Sequence, residues 1–294
     1  MGCKMLAVVD SETESTSLSQ VPEWFEEWEQ ILSRFRYDSE LTRLNQTHEQ
    51  PVPVSATLWN VLHAARNAER MTDGLVTSTL LDALIEAGYD RPFDDLPHQA
   101  TFMTAPVLAA SPPLTTIAVE DSTRSVTLPP GLSLDLGGIA KGWCADQAMK
   151  RLGRECPALV NAGGDIAISG PRADGSQWQV GIADPLHPGE EIETMYLNAC
   201  GVATSGKDRR RWTRNGVLQH HIIDPFTGQP AETDLLTVTA IAPSVMEAEA
   251  AAKAAFILGS RAGMWWIEAR PELAALFILD NGQMLYSDRM GIFL

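Results

Sequence analysis

The sequence predicts an α+β fold of mixed and antiparallel sheets with packed helices. Three observations carry this. Apolar residues recur at helical spacing in a few separate stretches. Short runs rich in β-branched and aromatic residues end at Gly, Asn or Asp turns. These two kinds of segment mix without the steady alternation that a parallel βαβ sheet requires.

Taken in order, Met5 to Val9 reads as a strand. Pro22 to Phe35 carries Trp24, Phe25, Trp28, Ile31, Leu32 and Phe35 on a helical stripe, with Glu23, Glu26 and Glu27 in its first turns. Thr57 to Met71 and Leu80 to Ala87 read as further helices, broken by Gly74 and Gly88. The stretch from Arg91 to Pro113, rich in Pro, Asp and small residues, reads as a long loop. Thr115 to Val119 and Ser125 to Leu128 form a hairpin, Leu132 to Leu136 a strand, and Ile139 to Leu152 a helix. Ala158 to Asn161, Ile166 to Ser169, Trp178 to Ile182, Glu193 to Leu197 and Leu235 to Ile241 read as strands. Val245 to Leu258 is an alanine-rich helix. A final hairpin, Leu273 to Leu279 and Met284 to Ser287, turns at Asn281-Gly282. The 294 residues are expected to form one domain, helical over 1–113 and strand-rich over 114–294.

Composition narrows the function. Hydrophobic residues make up 45% and charged residues 20%, an ordinary globular balance. A net charge of -16 repels nucleic acid and anionic lipid, so neither is an expected partner. Any phosphate site must then be local, built from backbone amides, a lysine or a metal. The four cysteines are scattered and form no CxxC, which reads as buried thiols and not as a zinc site. No apolar run has membrane-spanning length. The first residues lack a signal-peptide pattern, so the expected location is the cytoplasm.

Five segments carry candidate chemistry. In Asp135-Leu136-Gly137-Gly138-Ile139-Ala140-Lys141-Gly142 a strand runs through glycines into a helix. Such a turn offers N–H groups to a phosphate, with Lys141 as a point charge, or it is simply a tight turn. Its spacing matches neither a P-loop nor GxGxxG. Asn161-Ala162-Gly163-Gly164-Asp165 presses backbone against something, or is again a turn. Thr204-Ser205-Gly206 precedes Lys207, Arg209, Arg210 and Arg211, a basic cluster that either holds an anion or is a solvated loop. In His220-His221-Ile222-Ile223-Asp224-Pro225, adjacent histidines on a strand face opposite ways, so at most one serves a given site as general base. Glu249 and Lys253 share a helix face as an i, i+4 pair, worth a few tenths of a kcal/mol if it is only that.

Together these segments resemble the ApbE-like flavin transferases. LDLGGIAKGWCAD is similar to that family's DLGGIAKG loop and LVNAGGDIAISG to its NAGGD segment, with WQVGI following at a similar interval. VATSG is similar to its TSG motif, HHIIDPFTGQP to HIIDPxTG, RFRYDSELTRLN to an early SELSRLN element, and Met1-Gly2 to its MG opening. The resemblance covers nearly the whole chain. It implies two lobes around a flavin cleft and transfer of FMN from FAD to a Thr or Ser hydroxyl of an acceptor flavoprotein, with release of AMP.

The resemblance also implies roles residue by residue. FAD is contacted by Asp135 and Lys141, with Ile223, Met1 and Phe35 near the flavin. Gly163, Gly164, Asp165, Thr204 and Ser205 line the same cleft. Gly138 gives a carbonyl to a magnesium ion, and His221 is the base that deprotonates the acceptor hydroxyl. Three departures stand out. The family's metal-binding Asp and Thr are replaced by Glu249 and Lys253, and a charged lysine offers only donors. A Phe-Asp pair near Gly74 is replaced by Val76-Thr77, with Leu75, Val76 and Thr77 still expected at the FAD site. Phe35 lacks a hydroxyl. The FAD site is therefore expected to be kept and the metal site rebuilt, with Glu249 and Gly138 as ligands or Lys253 in the metal's place. FAD hydrolysis and flavin binding without catalysis are the alternative readings.

Overall fold

The computed structural model describes residues 3–13, 15–96, 99–100 (backbone only) and 110–294. The expected loop over 91–113 thus lies partly outside the described residues. The chain folds as two compact units, and the fold is α+β as expected. One unit holds Glu26–Ala140 and Arg209–Ala231; the other holds Cys3–Phe25, Lys141–Asp208 and Glu232–Leu294. The chain passes between them repeatedly, so the units do not coincide with the stretches 1–113 and 114–294.

Helix α1 (Val21–Leu32) ends three residues before Phe35. Just beyond it, Arg36 folds back on Glu26 and Glu29. The first unit continues with α2 (Glu40–Asn45), α3 (Ala56–Met71) and α4 (Leu81–Glu86). Ser39 and Ser55 cap α2 and α3, each side chain accepting the backbone N–H three residues on, from Thr42 and Leu58. Small sheets complete the unit, one with strands Val217–His220, Arg211–Arg214 and Gln99–Ala100 in that order. The expected strand over Leu132 to Leu136 does not form. The Asn45 side chain brackets Leu134, donating to its carbonyl and accepting from its N–H, both at 2.8 Å. The Asp135 N–H goes to the Ser78 carbonyl. With its backbone groups satisfied this way, the segment needs no ladder partner.

The second unit is built on one sheet and two helices. Its strands are β1 (Met5–Val9), β2 (Ala158–Ala162), β3 (Asp165–Ile168), β4 (Cys200–Gly206), β5 (Leu235–Ala242), β6 (Ala274–Leu279) and β7 (Met284–Tyr286). They lie in that order, every neighbouring pair antiparallel. One face bears Ile166, Ile168, Val202, Ile241, Leu276 and Ile278. It packs on Trp178, Val180, Ile182, Met195 and Leu197 of a covering hairpin. The helices are α5 (Ala140–Leu152, whose first residue belongs to the other unit) and α6 (Val245–Glu268). The other face of the sheet receives α6.

Helix α6 was expected to stop at Leu258. It bends instead at Gly259, which adopts φ 78°, and resumes. Asp234 restarts it by accepting from the Ser260 N–H and hydroxyl. Its N-terminus is fully supplied. Ser244 and Glu247 form a capping box. The Asp146 carboxylate, from α5, accepts from the Val245 and Met246 N–H groups at 3.2 and 3.3 Å. This end of α6 has no spare donors for a phosphate.

The approach of β4 to that helix start is so close that only glycine fits. A Cβ on Gly201 would lie 2.1 Å from the Val245 nitrogen and 2.2 Å from the Ser244 carbonyl carbon. Gly201→Ala is therefore expected to destabilise the protein by about 1–3 kcal/mol, the cost of overpacking a close contact. Urea denaturation followed by circular dichroism measures it, and an unchanged midpoint contradicts the packing described.

Candidate functional site

The second unit gathers four charged side chains at the helix-covered face of its sheet. Lys141 stands in the first turn of α5, Asp165 at the start of β3, and Glu249 and Lys253 one turn apart on α6. The Lys141 ammonium bridges Asp165 Oδ2 and Glu249 Oε1, each at 2.7 Å. Lys253 Nζ lies 2.9 Å from the same Glu249 oxygen. The other, Oε2, accepts the Gly142 N–H at 3.2 Å. Glu249 is 1% exposed, and the two lysines 17% each. Two carboxylates and two ammoniums balance, as a buried cluster requires. What reads in sequence as a plain intrahelical pair is a four-residue network. Lys253 turns inward to Glu249 and not out to solvent.

The electrostatics follow from this arrangement. Burial alone would push the Glu249 carboxyl up, but the ammoniums of Lys141 and Lys253 outweigh it and hold it at about 2. Burial would lower Lys141, yet Asp165 and Glu249 raise it well above an ordinary lysine. Asp165 is pushed up by burial against the pull of Lys141. Lys253 is pulled down by burial, with Glu249 opposing.

Magnesium, which the sequence resemblance implies, does not fit these residues. Both Glu249 oxygens are already engaged, one by two ammoniums. A divalent ion about 4 Å from the Lys253 nitrogen meets roughly 8 kcal/mol of repulsion at an effective dielectric near 20. Among the described residues, the group of three acidic or imidazole side chains with converging ligand atoms is Asp184, His187 and Glu190, in an exposed loop. Glu249 and Asp165 are not part of it.

The remaining candidates in this unit divide. Gly163 and Gly164 form the β2–β3 turn with φ 71° and 104°, and Asn161 Oδ1 accepts the Gly164 N–H at 2.8 Å. A Cβ on Gly163 would meet the Cys3 side chain at 2.7 Å, so this glycine answers to a chain contact within the fold. Thr204 and Ser205 were expected to line one site together, but they sit on β4 and alternate across the sheet. Ser205 is buried on the face that carries Asp165 and α6. Thr204 is exposed on the other, bonded to Thr239 at 2.9 Å. Of the basic cluster, Lys207 is tied to the Thr233 carbonyl and to Asp280.

The first unit holds its own set. Asp135 is not a vacant acceptor. Arg34 Nε lies 2.5 Å from its Oδ2, and its Oδ1 accepts the Gly137 N–H at 2.8 Å. The Arg34 guanidinium covers the Phe35 ring at 4.0 Å and the Tyr89 ring at 4.8 Å. Phe35 is 39% exposed. Leu75 and Val76 are buried, and Thr77 Oγ1 pairs with Thr79 Oγ1 at 3.0 Å. Ile223 is 2% exposed, packed with Tyr89 and Trp212 in a small apolar cluster. Gly138 stands in the turn leading to α5, three residues before Lys141. Met1 lies outside the described residues.

The two histidines separate cleanly, though not by strand alternation. The strand ends at His220, and His221 lies in the bend after it. His220 is buried, with Nδ1 accepting the Ile222 N–H at 3.3 Å and Nε2 3.1 Å from the Ala231 carbonyl. Both ring nitrogens are thus committed within the fold. His221 is half-buried.

Three contributors inside the quoted motifs were given no role of their own. Gly142 lets α5 approach α6, since a Cβ there would fall 2.8 Å from Glu249 Oε2. A glycine inside a helix pattern was the available signal. Asp146 and Arg34 act through contacts 99 and 101 residues away, which no local pattern reveals.

A model of the ApbE family matches residues 1–277. The FAD:protein FMN transferase of Treponema pallidum is 33% identical over 90% of this chain and 77% of its own length. That of Vibrio cholerae is 30% identical over 95% and 84%. The solved ApbE protein of Thermotoga maritima superposes with a TM-score of 0.87 at 26% identity, covering 98% of this chain and 95% of its own. The flavin transferase ApbE of Vibrio cholerae gives 0.82 at 26%, covering 100% and 96%. The fold, the ordered motifs and the similarity along nearly the whole length agree, and the chain belongs to the ApbE family.

Proposed function

We propose that this protein transfers FMN from FAD to a threonine or serine hydroxyl of an acceptor protein. Family membership and the activity named for its relatives support the reading. The observation in the molecule that carries it is the pair of lysine ammoniums fixed on Glu249, charged N–H donors held in set positions in a chain of net charge -16. Phosphoryl transfer needs such positioned charge more than it needs covalent chemistry.

In the reaction, the acceptor oxygen attacks the FMN phosphorus and a new P–O ester bond forms. The P–O bond to AMP breaks, and AMP leaves with the electron pair. The hydroxyl proton passes to the His221 ring. Lys141 is held by Asp165 and Glu249, so it offers a phosphate oxygen a charge whose position is set before substrate arrives.

Purified protein incubated with FAD and a candidate acceptor is expected to give in-gel flavin fluorescence on the denatured acceptor, with AMP released in equal amount. Free FMN and AMP without labelled acceptor would instead indicate hydrolysis. His221→Ala is expected to slow transfer about 10²–10⁴-fold with FAD affinity little changed. His220→Ala removes two buried backbone partners, and is expected to cost about 1–3 kcal/mol of stability while the folded fraction keeps its rate. Rates normalised to folded protein separate the two, and an active His221→Ala beside a dead His220→Ala reverses the assignment.

A further inference from the structure

We infer that the FAD pyrophosphate is met here by the Lys253 ammonium, and that this site takes no divalent cation. The inference rests on the FMN-transfer reading and deepens it. Its observation is the donor count on Glu249. A metal ligand must offer a lone pair, and three of the four sites on this carboxylate are taken, two on Oε1 by ammoniums and one on Oε2 by the Gly142 amide. The ion's natural place beside Oε1 is filled by a cation that is part of the chain.

Lys253 also has the means to act on a phosphate. An ammonium has three N–H donors. Among the described residues Lys253 spends one, on Glu249 at 2.9 Å, and keeps two. Its stem is held by α6 and its head by Glu249, so those donors stand at a fixed point with 17% of the side chain reaching solvent. A phosphate oxygen accepts from an ammonium in a short charge-assisted bond. The arrangement therefore supplies what a metal supplies to a pyrophosphate, fixed positive charge, without an ion to recruit.

The test is FAD binding by the intact protein, read by flavin fluorescence, in excess EDTA and in millimolar magnesium chloride. The dissociation constant is expected to differ by less than about twofold between the two. Magnesium alone is expected to leave the melting temperature unchanged. Lys253→Met is expected to weaken FAD about 10–100-fold in either buffer, the worth of hydrogen bonds from a charged donor. Lys253→Arg, which keeps the charge and guards against a Met variant that fails to fold, is expected to bind FAD in EDTA. Tightening of tenfold or more by magnesium in the wild type overturns the inference and leaves the FMN-transfer reading standing. Wild-type affinity in Lys253→Met overturns it as well. Absence of FAD binding in both buffers overturns that reading and this inference together.

Discussion

Glu249 is charged and almost wholly enclosed, and a buried carboxylate without donors costs several kcal/mol. The protein answers with three donors from two helices, and each constrains the others. Lys141 can serve Glu249 only if α5 starts beside α6. Gly142 can give its amide only if it has no side chain, because a Cβ there would collide with the oxygen it serves. Lys141 in turn reaches Asp165, which ties the β2–β3 turn to the same point. One carboxylate thus registers two helices and a strand against each other.

The backbone around the cluster is arranged for close approach. Six of the twelve buried residues of α6 are alanine, and β4 brings Gly201 against its first residues. Small residues let the helix axis lie near the sheet, which places Glu249 and Lys253 within reach of side chains rising from strand and turn. Asp146 and the capping box satisfy the helix start by internal means. The start of α6 therefore has no donors to spare, and the charged donors at this point of the second unit are the lysines.

Much of this was legible in the sequence, for identifiable reasons. The strands that became the large sheet are mostly short apolar runs ended by turn residues, and the alanine-rich helix announces itself by composition. β4 was missed because Thr204-Ser205-Gly206 reads as polar loop although its backbone pairs on both sides. The strand over Leu132 to Leu136 was expected from its apolar alternation, and the distant Asn45 overrode it. Lys253 was recognised as a departure from a pattern. That it turns inward, and shares an oxygen with Lys141, depends on contacts between elements more than 100 residues apart. Local periodicity carries no trace of such contacts.

A chain of net charge -16 that handles a dianion has to concentrate positive charge and keep it there. Two solutions differ in kind. A metal brings two charges and open coordination positions but must be recruited, and it needs lone pairs facing it. A lysine brings one charge and up to three directional donors, is always present, and needs carboxylates of its own to be tolerated when buried. Here the second set of requirements is met. Glu249 and Asp165 balance Lys141 and Lys253, so the cluster is stable with no ligand. The N–H groups that Lys253 does not spend are the part of that balance left for a phosphate. The carboxylate that could have served as a metal ligand instead keeps the lysine charged and in place.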